Sequence, residues 1–283
     1  MIKLLTKTHV LVVVTFAALG TLVLAAGWIW PGIELHALTF FVVVASIFVI
    51  LLIVDLRTNV LLQKLINRTQ LQEELNKSFS QYEALLRLRD LTTDTPDLPP
   101  SRHWAASPDF LVHLYQQIEK CRPKIIVELG SGLSTLVGAY ALRNLDYGGV
   151  IHSIDQSGAY LEKTRIEIKR HGLESFVRFH EAPLEELDIA GTRFTWYNKQ
   201  FIHELGAVDC LIVDGPPLSV GQNARYPALP LLISKFSSEA FVLVDDAARE
   251  DEKEVIQRWL EEFPDLVKSD LPSEKGCVLL QKI

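Results

Sequence analysis

The spacing of apolar positions changes along the chain, and each change predicts a different element. Val10–Trp30 and Ala37–Val54 hold no charged residue, and each is near the roughly 20-residue length that lets a helix cross a bilayer. Residues 1–54 therefore read as a transmembrane hairpin, with spans over 10–30 and 37–54 and Pro31-Gly32 in the connector. Leu24-Ala25-Ala26 loosely resembles a signal-peptide cleavage site, but the apolar region is long for one and a second span follows directly. Lys3 and Lys7 precede the first run, Arg57, Lys64 and Arg68 follow the second, and the connector carries only Glu34. Basic residues stay on the cytoplasmic side, so both termini are expected there. The lipid bilayer is the first partner this implies, and a bacterial inner membrane the expected location.

Residues 55–91 contain neither Gly nor Pro, and a stepped series runs through them: Leu61, Leu65, Arg68, Gln72, Leu75, Phe79, Tyr82 and Leu86. Alternating steps of four and three make a heptad seam with a polar break, which predicts a coiled-coil-like helix and a homo-oligomer. An amphipathic helix lying on the membrane or on its own domain is the alternative. Residues 92–104 then turn to Thr, Asp, Pro and Ser, the composition of a linker.

From residue 105 to 283 the pattern alternates. Ser107-Pro108 reads as a helix start, with a helix to about Lys120. Short β-branched runs at 125–129, 150–154, 177–180, 208–213 and 240–244 read as buried parallel strands. Helical patterns follow the first, second and fifth of them, and 267–271 and 277–282 pair as a closing hairpin. Such alternation predicts an α/β fold, a parallel sheet with helices on both faces.

Charge and cysteine usage narrow the partners. The formal net charge of −7 disfavours a nucleic-acid substrate, which selects for a basic face. Cys121, Cys210 and Cys277 are too scattered for a zinc site or disulfide frame.

The chemistry collects at the strand ends. Val127-Glu128-Leu129-Gly130-Ser131-Gly132 joins the first strand to a helix. Gly130 permits the tight turn, Gly132 lets the backbone approach a ligand, and the helix N–H groups face the turn. Asp155, at the end of the second strand, suits the two hydroxyls of a ribose. Thr135 replaces the third glycine of the dinucleotide fingerprint, which disfavours a nicotinamide oxidoreductase. Glu128 supplies a carboxylate for a cationic amino-acid moiety.

On these residues the chain from 123 to 283 resembles the class I S-adenosylmethionine-dependent methyltransferases. That resemblance implies a Rossmann-like seven-stranded sheet with an antiparallel last strand. It places Glu128, Gly130, Ser131, Gly132, Asp155, Glu181, Ala182 and Asp214 at the cofactor. The segments Asp214-Gly215-Pro216-Pro217 and Val244-Asp245-Asp246-Ala247-Ala248-Arg249-Glu250 look like a subgroup of unassigned substrate. Their layout is also similar to the catechol-type O-methyltransferases, which implies a divalent cation such as Mg²⁺ on Asp214, Asp245 and Asp246. Arg225 or Arg249 is the alternative neutraliser of those acids. Asp214, Asp245 and Arg249 are the expected catalytic groups; Arg225-Tyr226 and Trp196-Tyr197 are candidate substrate contacts.

The expectation is thus a membrane-anchored methyltransferase acting on a hydroxyl of a small-molecule or lipid-linked acceptor, such as a saccharide or other envelope precursor. A membrane scaffold with a non-catalytic, nucleotide-sensing module is the alternative.

Overall fold

The computed structural model describes Thr21, Ala25 and residues 34–92, 96–101 and 105–282. The expected first span and the Pro31-Gly32 connector lie outside these residues, apart from Thr21 and Ala25. The chain divides into two compact units, Met1–Leu75 and Asn76–Ile283.

The apolar run 37–54 and the heptad segment 55–91 form one uninterrupted helix, α1 (Glu34–Leu91). No Gly or Pro interrupts it, so its hydrogen-bond ladder continues from an apolar to a polar sequence. Among the described residues it is the one helix long and apolar enough to cross a membrane. In the first unit, Phe40, Val42, Ile47, Ile50, Leu51 and Val54 are exposed with no protein cover.

Within the second unit the last turns of α1 belong to the core. Ala84 and Leu88 are buried in the same apolar cluster as Phe110, Leu114 and Tyr140. The Gln81 side-chain amide donates to Asp109 at 2.6 Å. Asn144 donates to the Leu91 carbonyl at 2.7 Å. Phe79, Tyr82 and Leu86 of the seam remain exposed, about 160° around the helix from Gln81, Ala84 and Leu88 at 3.6 residues per turn.

The second unit continues with α2 (Pro108–Cys121), β1 (Ile125–Leu129), α3 (Leu133–Leu145), β2 (Val150–Asp155), α4 (Gly158–Arg170) and β3 (Val177–Glu181). Then come β4 (Leu184–Ile189), β5 (Thr192–Tyr197), β6 (Val208–Val213), α5 (Ala228–Leu232), β7 (Phe236–Val244), α6 (Glu250–Glu262), β8 (Leu266–Leu271) and β9 (Cys277–Lys282). The main sheet has seven strands in the order β3-β2-β1-β6-β7-β9-β8. β9 runs antiparallel to both β7 and β8, and the other pairings are parallel. This is the expected methyltransferase topology. Alternate residues feed opposite faces: Ile126, Cys210 and Ile212 enter one cluster, Val127, Leu211 and Val213 the other.

The β4–β5 hairpin forms a separate two-stranded sheet that the apolar pattern does not announce. Its two-residue turn puts Ala190 at φ 50 and Gly191 at φ 83, the positive pair of a type I′ turn. Ala is a poor residue for that conformation, and Leu184-Glu185-Glu186-Leu187-Asp188-Ile189 is rich in acids, so both usual hairpin signals are weak.

Candidate active site

The sheet order reverses direction between β1 and β6, and the loops leaving these strands part there, as at the ligand crevice of open α/β sheets. A cleft of about 490 Å³ opens at this point. Gly130, Ser131, Gly132, Asp155, Asp214, Arg225, Asp246 and Arg249 all line it. The sequence-derived residues are therefore largely brought together, although they span more than a hundred positions.

The glycine turn is built against the end of β6. Gly130 has φ +100, and a Cβ there would lie 3.0 Å from the Asp214 carbonyl oxygen. Its N–H donates to Ile154 at 2.8 Å, and Asp214 N–H donates to Leu129 at 2.9 Å. These bonds hold the ends of β1, β2 and β6 together. Around Gly132, by contrast, no atom of the described residues other than its chain neighbours lies within 4 Å of the position a Cβ would take. The open room there belongs to the cleft.

Asp155 faces this room. Its two carboxylate oxygens accept from Ser131 N–H at 3.1 Å and Ser157 N–H at 2.8 Å. Each oxygen keeps a lone pair for a further donor. Burial raises the carboxyl above its ordinary value, against the pull of the Ser157, Ser131 and Gln156 N–H groups.

Glu128 sits elsewhere. It is fully buried beneath the turn, where Oε2 accepts from the Thr135 hydroxyl. The Thr135 hydroxyl oxygen in turn accepts from Gly132 N–H at 3.1 Å. Thr135, in place of the third glycine, thus ties the turn to the strand below it. Glu128 is not among the cleft-lining residues, because its place on the central strand points it into the interior instead of at a ligand. Burial pushes its carboxyl up to about 7.

Glu181 and Ala182 are also outside the cleft lining. Ala182 is buried and donates its N–H to the Asp155 carbonyl at 2.9 Å, so it steadies the carboxylate's backbone. Glu181 presses its carboxylate on the start of α4 beside Gly158. That stretch of the cleft is lined instead by Gln156, Tyr160 and Thr164. Their sequence signal is their place directly after Asp155, at the helix that faces the crevice.

Asp214, Asp245 and Asp246 converge as expected, with one carboxylate oxygen of each within 4.8 Å of the others. The Arg225 guanidinium is set among them. It donates to the carbonyls of Asp245 at 2.9 Å, Asp214 at 3.2 Å and Pro216 at 3.4 Å. Nη2 also lies 3.0 Å from Asp246 Oδ2 and 3.5 Å from Asp214 Oδ1. Arg249 pairs with Asp246 at 2.9 Å and approaches Glu252 at 3.6 Å. Burial pushes the Asp214 carboxyl up to about 7, opposed by Arg225. Burial, and then the neighbouring Asp214 and Asp246, push Asp245 well above its ordinary value. Asp245 is buried behind Asp246, outside the lining of the cleft.

The donor set tests a bridging cation poorly. An ion such as Mg²⁺ takes near-octahedral oxygen ligands at roughly 2.0–2.1 Å. Here the same carboxylates already hold a guanidinium that cannot give up its charge.

Of the aromatic candidates, Tyr226 lies apart from the cleft. Its hydroxyl donates to Glu262, and its ring packs between Phe194 and the Arg258 guanidinium. Trp196 is fully buried. Tyr197 does line the cleft, and a Cβ on Gly215 would collide with its hydroxyl.

A family model described as a methyltransferase domain matches residues 127–247. No curated protein matches the chain. Among solved structures, the SAH-bound methyltransferase PaMTH1 of Podospora anserina aligns with TM-score 0.53 and 16% identity, over 75% of this chain and 96% of that one. The O-methyltransferase of Bacillus cereus in complex with SAH aligns with TM-score 0.50 and 16% identity, over 72% and 90%. At that identity the likeness is one of fold. Sheet order, glycine turn and matched model agree on a methyltransferase domain over residues 127–247.

Proposed function

We propose that this methyltransferase is membrane-anchored and transfers the methyl group to a hydroxyl of a membrane-associated acceptor, a saccharide or lipid-linked envelope precursor. The observation that carries the cofactor reading is Asp155: a carboxylate fixed by two backbone N–H groups, with free lone pairs, in an open cleft beside the glycine turn. It would accept from both ribose hydroxyls, while the backbone at Gly130–Gly132 leaves space for the amino-acid end. S-adenosylmethionine supplies a methyl group on a sulfonium, which leaves as a neutral thioether.

Asp214 is the group we assign as proton acceptor. Its carboxylate stands at the cleft, and a carboxyl near 7 suits general-base work at neutral pH. It takes the acceptor's hydroxyl proton as the new oxygen–carbon bond forms. Arg225 holds Asp214 in place and Arg249 stands at the cleft beside it.

Anchoring is supported by the uncovered apolar face of α1 over 40–54, which costs little only in lipid. We assign both spans, Val10–Trp30 and Ala37–Val54, to a hairpin with cytoplasmic termini. We also assign the seam from Leu61 to Leu86 to self-association: Phe79, Tyr82 and Leu86 point away from the face that packs on the core. Residues outside the seam hold α1 to the catalytic unit, so the seam is left for a second copy.

Calorimetric titration of the full chain in detergent with S-adenosylmethionine, S-adenosylhomocysteine and NAD tests the cofactor. Binding of the first two, weakened by Asp155→Asn, is the expected result. Preference for NAD, or no binding of any, would overturn the reading.

A further inference from the structure

We propose that the Arg225 guanidinium is the built-in counter-cation of the Asp214–Asp245–Asp246 cluster, standing where a divalent ion would otherwise bridge the acids, so that this site works without a metal. The inference deepens the methyltransferase reading and rests on it for the word "works"; its cation arm stands by itself.

Three features lead to it. First, the carboxylates come from the ends of two neighbouring strands, β6 and β7, and they point into one small volume. Like charges that close need a compensating cation or a shared proton. Second, the compensation is already present and internal. Arg225 is only 4% exposed, and Nη2 reaches Asp246 at 3.0 Å and Asp214 at 3.5 Å, while Nε lies 3.6 Å from Glu252. Arg249 adds a second guanidinium on the outer side of Asp246 at 2.9 Å. Third, the guanidinium is not free to swing aside for an ion. Carbonyls of Asp214, Pro216 and Asp245 fix its plane from the two loops that carry the acids. A planar fork held by backbone acceptors keeps its position, whereas a lysine or a hydrated ion would be a single exchangeable point charge.

An ion entering this space would share its carboxylate ligands with a permanent cation and lose the attraction that hard-cation sites depend on. Arg225 would also have to leave three carbonyls without their donor. The acids are therefore better described as an arginine-centred network in which Arg225 positions Asp214 at the cleft.

The test uses the full chain in detergent and Mn²⁺, whose free form gives a direct paramagnetic resonance signal. The expected result for the wild type is no Mn²⁺ held at micromolar concentration, and S-adenosylmethionine affinity that EDTA does not change. Arg225→Met keeps the length and removes the charge; it should gain Mn²⁺ binding by at least about tenfold, and added Asp246→Asn should abolish the gain. Arg225→Lys, which restores a charge, should exclude Mn²⁺ again. One Mn²⁺ bound per wild-type chain and lost in Asp246→Asn would overturn the proposal, and so would a folded Arg225→Met that gains nothing. If Arg225→Met fails to fold, the wild-type titration with its Asp246→Asn control decides alone. Failure of S-adenosylmethionine binding with the Mn²⁺ results intact would instead count against the methyltransferase reading.

Discussion

The cleft is bounded by two sets of acids that solve the same electrostatic problem differently. On the β2 side, Asp155 is held by neutral backbone N–H groups. On the β6–β7 side, Asp214 and Asp246 are held by a buried guanidinium. Backbone dipoles orient a carboxylate without cancelling its charge, so Asp155 stays available to a ligand. A guanidinium cancels charge and uses up acceptors, so the second set is committed to the protein, even though Asp214 and Asp246 both reach the cleft.

That contrast predicts unequal consequences. The largest concerns stability: Arg225→Met leaves several buried carboxylates uncompensated and should cost about 3–5 kcal/mol, read as a fall in denaturation midpoint. Asp155→Asn, which trades one of two N–H acceptors for an amide donor, should instead cost about 1–2 kcal/mol of stability and weaken S-adenosylmethionine binding about 100-fold, ~2.7 kcal/mol, in calorimetry. If the two variants exchanged these phenotypes, the division between a ligand-facing and a protein-facing acid set would be wrong.

Glu128 sharpens the comparison, since it is an acid with neither solution: buried beneath the turn with only hydroxyl partners. Unfolded, a glutamate ionises near pH 4.3; folded, this one ionises only near 7. The folded state therefore holds the extra proton between those values, and stability falls as pH rises through that window, then levels off. Glu128→Gln keeps an acceptor for Thr135 and should remove this slope. It should be up to about 3 kcal/mol more stable than wild type at pH 8 and equal to it near pH 4, by chemical denaturation at both pH values.

The smallest effect on folding belongs to the seam. Phe79→Glu with Tyr82→Glu changes exposed side chains only and should leave the denaturation midpoint within about 0.5 kcal/mol of wild type. Chemical cross-linking in detergent should nonetheless lose its dimer band. A cross-linked dimer that survives the double substitution would remove the seam as the contact.

Much of this is readable in the sequence. The β-branched runs of β1, β2 and β6 give way to Gly130, Asp155 and Asp214, and an apolar run passing into a glycine or an acid marks a central strand and its crevice. What was not readable depends on direction and distance. Nothing in the string 127–132 says that Glu128 turns inward; strand alternation and the tie to Thr135 decide it. Arg225 is a candidate neutraliser of the acids from the sequence, but its three backbone carbonyl acceptors follow only from the adjacency of β6 and β7. The β4–β5 hairpin escaped because Ala190 adopts a backbone conformation that its side chain disfavours.

The packing of Ala84 and Leu88 against Phe110 and Leu114 carries a practical lesson for anyone preparing this enzyme away from lipid. The proline-rich stretch after Leu91 looks like the natural place to cut. A fragment beginning there would discard a piece of its own hydrophobic interior, exposing the surface that Leu88 covers at a cost of about 1.5–3 kcal/mol for that side chain alone. Such material should precipitate or bind dyes that light up on greasy surfaces. A start at Asn76, where the compact unit begins, carries the missing turns along and is the truncation that should remain in solution.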